Sequence, residues 1–425
     1  MTALRRPLAN RGFRRLIWLL IGAIGWLGLA LLGAALFAQR PPRAGFDLAL
    51  ILEAGRRVAG GTSPYLAGAV GQGTQVESLF YSYPPPVAQA ASLIAGLPTG
   101  LVLVATGLAA TLGFGVVAAA LAHREAPGSP TIDVVLPALA LAPFVYPFAI
   151  ALLFGNVDAW FPLAYGAVLL GATGGLGAGR NPGATGGLES TSGWRLGGGI
   201  AIGLVSLAKL HPAAILGWLA IRGLADRRRD GRAGAASGSG RVAAAWATLG
   251  VALATMAVVT AVSVLIWGTG PWAEYVDVLR AGTGADLVSW LNVGPASQLA
   301  LLSGDSGLAV RLVPLVTVGA LAATAAAAWL LRSGTLSLAV AAAVSLVVSP
   351  ITWFHYPVAL LPFAAAAWVQ ARGTAGASRT AGLLIGALVV AALSISEPVA
   401  VWLAVALVLA ACLPRAAAGS RAPAA

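Results

Sequence analysis

The chain has 425 residues, of which 59% are hydrophobic and only 9% are charged. Soluble domains carry about 25% charged residues, so this chain has too few charges to cover a surface that faces water. The composition excludes a cytosolic globular enzyme, a disordered regulator and a secreted disulfide-rich module, and it predicts a protein that lies mostly in lipid. The single cysteine, Cys412, excludes a disulfide framework and a cysteine-based metal site.

Twelve apolar segments approach the roughly 20 residues that a membrane-spanning helix needs. They are residues 16–38, 84–97, 99–122, 133–153, 157–174, 197–220, 242–267, 310–331, 334–351, 354–370, 380–395 and 398–413. The second segment is short, and the fourth and fifth can alternatively form one broken unit around Gly155-Asn156. We predict an all-α polytopic membrane protein with one integral domain over residues 1–414 and a disordered cytoplasmic tail at 415–425.

The net charge of +12 is explained by the side of the membrane on which each segment lies. The first span has an apolar run of 23 residues, too long for a cleaved signal peptide, so we interpret it as a signal anchor with Arg5 to Arg15 in the cytoplasm. Alternating sides from there puts both termini inside and places residues 123–132 and 175–196 outside, with 16 arginines inside and nine outside. This matches the excess of basic residues in cytoplasmic loops of plasma-membrane proteins, and no nucleic-acid partner is needed to explain the charge.

The segments between the spans differ in length and composition. Two large outer loops cover residues 39–83 and 268–309, and a basic linker at 221–241 lies in the cytoplasm. The stretches 175–193 and 231–240 are rich in glycine and serine, which is typical of flexible linkers.

Asp47 opens a short predicted helix in the first outer loop. Residues 47–59 place apolar side chains on one face of a helix that would lie on the membrane surface, and Gly60-Gly61 ends it. A carboxylate at this position suits the helix dipole, so Asp47 is either the N-cap of the helix or a general base at the outer surface.

Several short motifs follow one another in a characteristic order. After Asp47 they are Gly61-Thr62-Ser63-Pro64-Tyr65, Tyr83-Pro84-Pro85, Gly155-Asn156-Val157-Asp158, Lys209-Leu210-His211-Pro212 and Ser349-Pro350-Ile351-Thr352-Trp353-Phe354-His355-Tyr356. The ordered set resembles the glycosyltransferase family 87 enzymes, polytopic proteins of the GT-C class, over most of the chain. The family often has an Asn-Gln-Ser segment in the late outer loop. Residues 292–298 depart from it, so an acceptor-binding role there stays open.

The resemblance implies a GT-C-like helical bundle and a lipid-linked sugar donor. Similar enzymes transfer mannose from polyprenyl-phosphate mannose on the outer face, often by α-1,2 linkage, to lipid-anchored mannosides or lipoglycans of actinobacterial envelopes. A few similar proteins use polyprenyl-phosphate arabinofuranose, which is the alternative donor. The resemblance implies no cofactor.

Transfer from a lipid phosphate needs a base, groups that hold the phosphate and a groove for the isoprenoid chain. Asp47 is the candidate base. His355 is expected to hold phosphate or share the proton transfer, and its alternative is a solvated histidine at the membrane interface. Lys209 is the only lysine and lies near the middle of the segment 197–220. A charge there is costly, so Lys209 should face the bundle interior and pair with Asn156 or Asp158, or contact the donor phosphate.

Two further sets of residues are predicted around these groups. The candidates for binding the donor phosphate, besides Lys209, are Asn156, Tyr83 and His211, although His211 is expected on a different face of the helix from Lys209. Aromatic side chains at the outer face are candidates for the sugar and acceptor pocket or, alternatively, for an interface belt. They are Tyr65, Tyr81, Trp353 and Tyr356.

The chain has no Asp-x-Asp motif. The closest acidic spacings are Glu274 with Asp277 and Asp226 with Asp230. We therefore predict no nucleotide-sugar donor and no essential metal. A single base without a nucleophile predicts inversion at the sugar carbon.

Two other classes of protein share this composition. A transporter or lipid flippase would show internal symmetry and discontinuous helices, neither of which is clear in the sequence. A non-catalytic protein of envelope assembly is the third possibility, without positive support.

Overall fold

The computed structural model describes residues 10–66, 68, 81–126, 128–173, 188–233, 239–285, 287–393 and 397–414. These residues form α-helices joined by short turns, and contain no β-strand apart from one isolated bridge between Asn292 and Trp353. The first helices are α1 Arg11–Phe37, α2 Phe46–Ala59, α3 Pro85–Ser92, α4 Thr99–Glu125, α5 Ile132–Leu141, α6 Tyr146–Phe154, α7 Phe161–Ala172, α8 Leu188–Ala208 and α9 Ala214–Ala233. The later ones are α10 Ser239–Trp267, α11 Gly270–Ala285, α12 Pro295–Ser303, α13 Ser306–Leu330, α14 Gly334–Ser345, α15 Leu361–Ala371, α16 Ala377–Leu393 and α17 Pro398–Ala411.

Four helices of the described residues are long and apolar enough to cross a membrane. They are α1, α4, α13 and the Gly240–Trp267 part of α10. The α5 and α6 segments together make a fifth, bent by 70°. Most of the apolar side chains on the long helices are exposed in the isolated chain, as expected for a surface that contacts lipid. The structure confirms an all-helical membrane protein, and the count of twelve spans remains a prediction.

Several predicted spans are interrupted, which corrects the sequence analysis. The segment 84–97 contains only the eight-residue helix α3, and 334–351 is helical only to Ser345. The segment 133–153 bends between α5 and α6, and 197–220 breaks after Ala208. Proline explains the last break, because Pro212 has no N–H to donate to the carbonyl of Ala208.

The predicted linkers are partly helical. Helix α8 begins at Leu188 and helix α9 continues to Ala233, so parts of 175–193, 221–241 and 231–240 are not flexible connections. The rest of these stretches (174–187 and 234–238) and the predicted tail at 415–425 lie outside the described residues.

The two ends of the bundle differ in charge. At one end the Arg15 Nε lies 2.8 Å from Asp133 Oδ1, and Arg372 donates to the Asp133 carbonyl over 3.2 Å. At the other end the Gly45 N–H donates to the Leu153 carbonyl over 2.7 Å. Helix α1 joins the two and is about 40 Å long. We call these the basic end and the loop end.

The basic end contains two segments that the sequence analysis placed outside. Asp133 pairs with Arg15, so residues 123–132 lie with the N-terminal arginines. Arg124 donates to the Leu169 and Leu170 carbonyls, so α7 also ends there. A Cβ on Gly171 would lie 2.6 Å from the Trp194 carbonyl oxygen, which puts the start of α8 beside it. The predicted side of the membrane is wrong from α3 to α8, because α3 does not cross the bundle. The predicted span 197–220 is in fact the end of α8 and the start of α9, so the chain turns back after Ala208 and the predicted sides are correct again from α9 onwards.

Candidate active site

A tight turn after α6 presents Asn156 at the loop end. Gly155 has φ +66°, a left-handed conformation that glycine adopts at helix ends. A side chain here would also collide with α2, because an added Cβ would lie 2.6 Å from the Leu48 Cβ. The Asn156 N–H donates to the Ala151 carbonyl over 2.9 Å. The turn therefore fixes Asn156 directly under the first turn of α2.

The amide of Asn156 connects the predicted base to the predicted cation. Its Oδ1 accepts from the Asp158 N–H at 3.0 Å and from Lys209 Nζ at 3.2 Å. Its Nδ2 donates to Asp47 Oδ2 at 2.7 Å. Because Oδ1 faces two donors, only this amide orientation satisfies the network.

Asp158 is the centre of the ionic contacts and is fully buried. One carboxylate oxygen lies 2.8 Å from Lys209 Nζ and the other lies 3.2 Å from His355 Nε2. The predicted pairing of Lys209 with Asn156 or Asp158 is confirmed, since Lys209 contacts both. Sequence analysis did not count Asp158 among the site residues, although an acidic residue in an apolar segment is a recognisable signal of function.

Asp47 is in the first turn of α2 but is not its N-cap. The cap is Gly45, and no side chain caps the helix, so the N-cap interpretation is wrong. Burial raises the pKa of the Asp47 carboxyl above its ordinary value, while His355, the Asn156 hydrogen bond and Lys209 oppose the rise. A raised pKa makes the carboxylate a stronger base.

His355 is buried, which excludes the alternative of a solvated interfacial histidine. Its Nε2 lies 3.2 Å from Asn156 Nδ2 as well as 3.2 Å from Asp158. Within the described part of the chain, its Nδ1 is buried without a hydrogen-bond partner. The ring is therefore oriented by one nitrogen, and the other nitrogen is left for a ligand.

Aromatic rings surround the Lys209 ammonium. Its Nζ lies 4.3 Å from the centroid of Tyr356 and 5.9 Å from that of Tyr83. His211 stacks on Tyr356 with centroids 4.7 Å apart. The prediction that His211 points away from Lys209 is wrong, because the helix ends before Lys209 and both side chains contact the same ring.

The sugar-pocket candidates divide into two groups. Tyr65 and Tyr81 are buried, with ring centroids 5.6 Å apart. The Tyr65 hydroxyl donates to the Tyr83 carbonyl, and the Tyr81 hydroxyl donates to the Pro84 carbonyl. Their rings therefore support the loop and have no free face for a sugar. Tyr356 is also buried, against Lys209 and His211. The half-buried Tyr83 and Trp353 are the candidates that remain accessible at the site.

Neither acidic spacing singled out in the sequence belongs to a nucleotide-sugar site. Glu274 accepts a hydrogen bond from Ser63, which ties the two outer loops together, and Asp226 pairs with Arg222 and Arg229. No group of three or more histidine, cysteine or acidic side chains among the described residues is placed to hold a metal ion. Metal independence stays a prediction.

The network joins a carboxylate, a lysine and a histidine within one buried cluster, and comparison with known proteins gives it a family. A family model described as glycosyltransferase family 87 matches residues 81–350, more than half of the chain. The chain belongs to glycosyltransferase family 87. Comparisons with curated proteins and with solved structures gave no match.

The family match covers part of the site. Asn156, Asp158 and Lys209 lie within residues 81–350, whereas Asp47 and His355 lie outside that range. The structure nevertheless brings all five into one network. The chain is thus a membrane-type glycosyltransferase, and the roles of Asp47 and His355 depend on their geometry.

Asn292, in the predicted outer loop 268–309, fixes the segment that carries His355. The sequence analysis did not predict this contact. Asn292 is fully buried and uses its whole amide. Its Nδ2 donates to the carbonyls of Leu287 (3.0 Å) and Pro350 (3.2 Å), and its Oδ1 accepts from the N–H groups of Gly294 (3.0 Å) and Thr352 (2.9 Å). Asn292 therefore clamps residues 350–352 immediately before His355.

An apolar groove leads to Asn156 between α2, α3, α4 and α6. Its volume is about 210 Å³. The lining includes Leu52, Val102 and Trp160, with Ile94 exposed at the rim. The groove thus joins the outer surface of the apolar bundle to the polar network.

Proposed function

We propose that this glycosyltransferase moves mannose from polyprenyl-phosphate mannose to a hydroxyl of a lipid-anchored glycan on the outer face of the plasma membrane. One observation carries the proposal: the amide of Asn156 holds Asp47 on one side and Lys209 on the other. A base for the acceptor and a cation for the leaving phosphate thus lie on opposite sides of a single side-chain amide. This is the separation of charge that an acid–base displacement at a sugar carbon requires.

Asp47 is the general base. The bond from Asn156 engages Oδ2, which leaves Oδ1 to take the proton of the acceptor hydroxyl. The acceptor oxygen then bonds to the anomeric carbon as the bond from that carbon to the phosphate oxygen breaks, and the polyprenyl phosphate leaves with the electron pair. A single displacement inverts the configuration, so a β-linked donor gives an α-linkage.

Lys209 and His355 stabilise the departing phosphate. An ammonium has three N–H donors, and Asp158 and Asn156 accept from Lys209, which leaves one donor for a phosphate oxygen. An N–H at Nδ1 of His355 supplies a second. The Lys209 ammonium and this N–H take the place that a metal ion holds in other phosphate-leaving reactions.

The apolar groove supports a lipid-linked donor over a soluble one. Its lining is mostly apolar and it ends at Asn156, so an isoprenoid chain lying in it would have its phosphate beside Lys209. Tyr83 and Trp353 are then the aromatic side chains next to the sugar. A soluble nucleotide sugar would gain nothing from such a groove.

Polyprenyl-phosphate arabinofuranose is the alternative donor, since the contacts to base and phosphate would be the same. The case against a transporter changes with the structure. Helices are broken at Val145 and Lys209, so their continuity no longer argues against transport. Membership of the glycosyltransferase family argues against it instead.

The decisive experiment supplies one radiolabelled polyprenyl-phosphate sugar at a time to the purified protein in lipid nanodiscs, with a lipid-anchored mannoside as acceptor. We expect transfer from the mannose donor, none from the arabinofuranose donor, and no loss of activity after chelation. Transfer from arabinofuranose alone would establish the alternative, and transfer from neither donor would overturn the proposal.

A further inference from the structure

A second cavity lies at the basic end, opposite the candidate active site. Its volume is about 730 Å³, which is in the range of ligand-binding cavities. The first turns of α1 and α5 and the end of α15 border it, together with the connection between α4 and α5. The proposed transferase reaction uses no residue of this cavity.

Positive charge exceeds negative charge around the cavity. Arg14, Arg15 and Arg372 line it together with the carboxylates of Glu125 and Asp133. Both carboxylates are already paired: Asp133 Oδ1 lies 2.8 Å from Arg15 Nε, and Glu125 Oε1 lies 2.8 Å from the Nε of Arg124. In the described part of the chain Arg14 has no ion-pair partner. Two guanidinium groups at the cavity therefore carry charge that no carboxylate of the described residues pairs: that of Arg14, and that of Arg372, whose Nη1 donates to the Asp133 carbonyl and whose other N–H groups can face an anion.

Two tryptophans give the cavity the character of a membrane interface. Trp18 and Trp368 both line it, and the Trp368 Nε1 is buried without a hydrogen-bond partner among the described residues. Tryptophan is enriched where lipid headgroups meet the hydrocarbon. The two indoles therefore identify this wall of the cavity as a place where a lipid headgroup would meet hydrocarbon.

Apolar surface continues from the cavity along the bundle. Ile132 and Leu136 line it on α5. On α1, Leu16, Leu19 and Leu20 are each more than half exposed, one turn from the arginines. A ligand with an anionic head and an apolar tail would match both surfaces, whereas free phosphate would use only the first.

We propose that this cavity binds the headgroup of an anionic phospholipid from the leaflet that faces the basic end. The guanidinium groups of Arg14 and Arg372 hold the phosphodiester, because their planar forks match two phosphate oxygens. The indole rings of Trp18 and Trp368 border the headgroup, and the acyl chains lie along α1. Basic pockets between membrane helices are a known type of site for such lipids.

Thermal unfolding of the full chain in a neutral detergent tests the proposal. Phosphatidylglycerol, phosphatidylcholine and inorganic phosphate are titrated separately. We expect phosphatidylglycerol alone to raise the Tm, by about 2 °C or more, and the Arg14→Gln/Arg372→Gln double variant to lose most of the shift. Arg280→Gln, which removes an exposed arginine at the loop end, is the matched control and should keep the shift.

Three results would overturn the proposal. The first is equal stabilisation by phosphatidylcholine and phosphatidylglycerol, and the second is a double variant that keeps the full shift. The third is a shift produced by inorganic phosphate alone, which would make the ligand a soluble anion. If the double variant fails to fold, the exposed Arg14→Gln variant is used alone, and native mass spectrometry counts the phosphatidylglycerol molecules that it retains relative to the wild type.

Discussion

Asn156 donates a hydrogen bond of 2.7 Å to Asp47, although the two residues are 109 positions apart in the chain. The same amide accepts from Lys209. Changes in the charge or position of Asp47 are thus transmitted to Lys209 through one side chain.

Replacing the base should abolish transfer without unfolding the protein. Asp47→Asn keeps the size of the side chain but cannot take the acceptor proton, so we expect kcat to fall by about 10²–10⁴-fold. Initial rates in nanodiscs measure the loss. Asp305→Asn, at an exposed outer-loop carboxylate, is the control and should retain activity. Near-normal turnover of Asp47→Asn would remove Asp47 from the mechanism.

The pH dependence should reflect the environment of Asp47. Transfer needs the ionised carboxylate, so the rate should fall as the pH drops through its raised pKa, above the ordinary value of about 3.9. The Asn156 bond stabilises the charged form, and losing it raises the pKa further. In Asn156→Ala the acid limb of kcat/KM should therefore move to higher pH. An unchanged or lower limb would contradict this assignment.

Lys209 is expected to have two roles, pairing with Asp158 and binding the donor phosphate, and one double variant can separate them. Lys209→Met removes the ammonium that pairs with the buried Asp158 and leaves that carboxylate only its contact with His355. Breaking a buried ion pair costs about 3–5 kcal/mol, so protein yield should fall together with donor binding. Lys209→Met/Asp158→Asn removes the charge of that carboxylate. We expect yield to recover while affinity for polyprenyl phosphate stays low, measured by competition binding. Recovery of both would mean that Lys209 serves only to pair Asp158.

Asn292 should act on the reaction through His355. Two side-chain hydrogen bonds tie it to residues 350–352: its Nδ2 donates to the Pro350 carbonyl, and its Oδ1 accepts from the Thr352 N–H. If its effect is to position His355, then Asn292→Ala should lower kcat in the wild type but have almost no effect in His355→Ala.

The matched control for this cycle is Ser297→Ala. Ser297 is buried in the same loop but bonds only to the backbone of Ser289, so its loss should leave the cycle unchanged. Multiplicative losses in the Asn292→Ala/His355→Ala variant would show that Asn292 acts independently of His355.

Some features could be predicted from local sequence because local physics determines them. The amphipathic pattern after Asp47 predicted a helix at 47–59, and the structure has it at Phe46–Ala59. The cost of a charge in an apolar segment predicted that Lys209 must face the bundle interior and have a partner there, either Asn156 or Asp158 or the donor phosphate, and it contacts both side chains. Low charge alone identified a membrane protein.

Only the tertiary structure decided where the chain crosses and what meets at the site. Hydropathy measures how apolar a segment is, but not whether its helix is continuous. It therefore predicted neither that 84–97 fails to cross the bundle nor that the chain breaks at Lys209. The first of these errors inverted the expected side of residues 123–132. The bonds of Asn156 to Asp47 and of Asn292 to Thr352 join distant segments. Such contacts depend on how the helices pack, and no local pattern in the sequence encodes them.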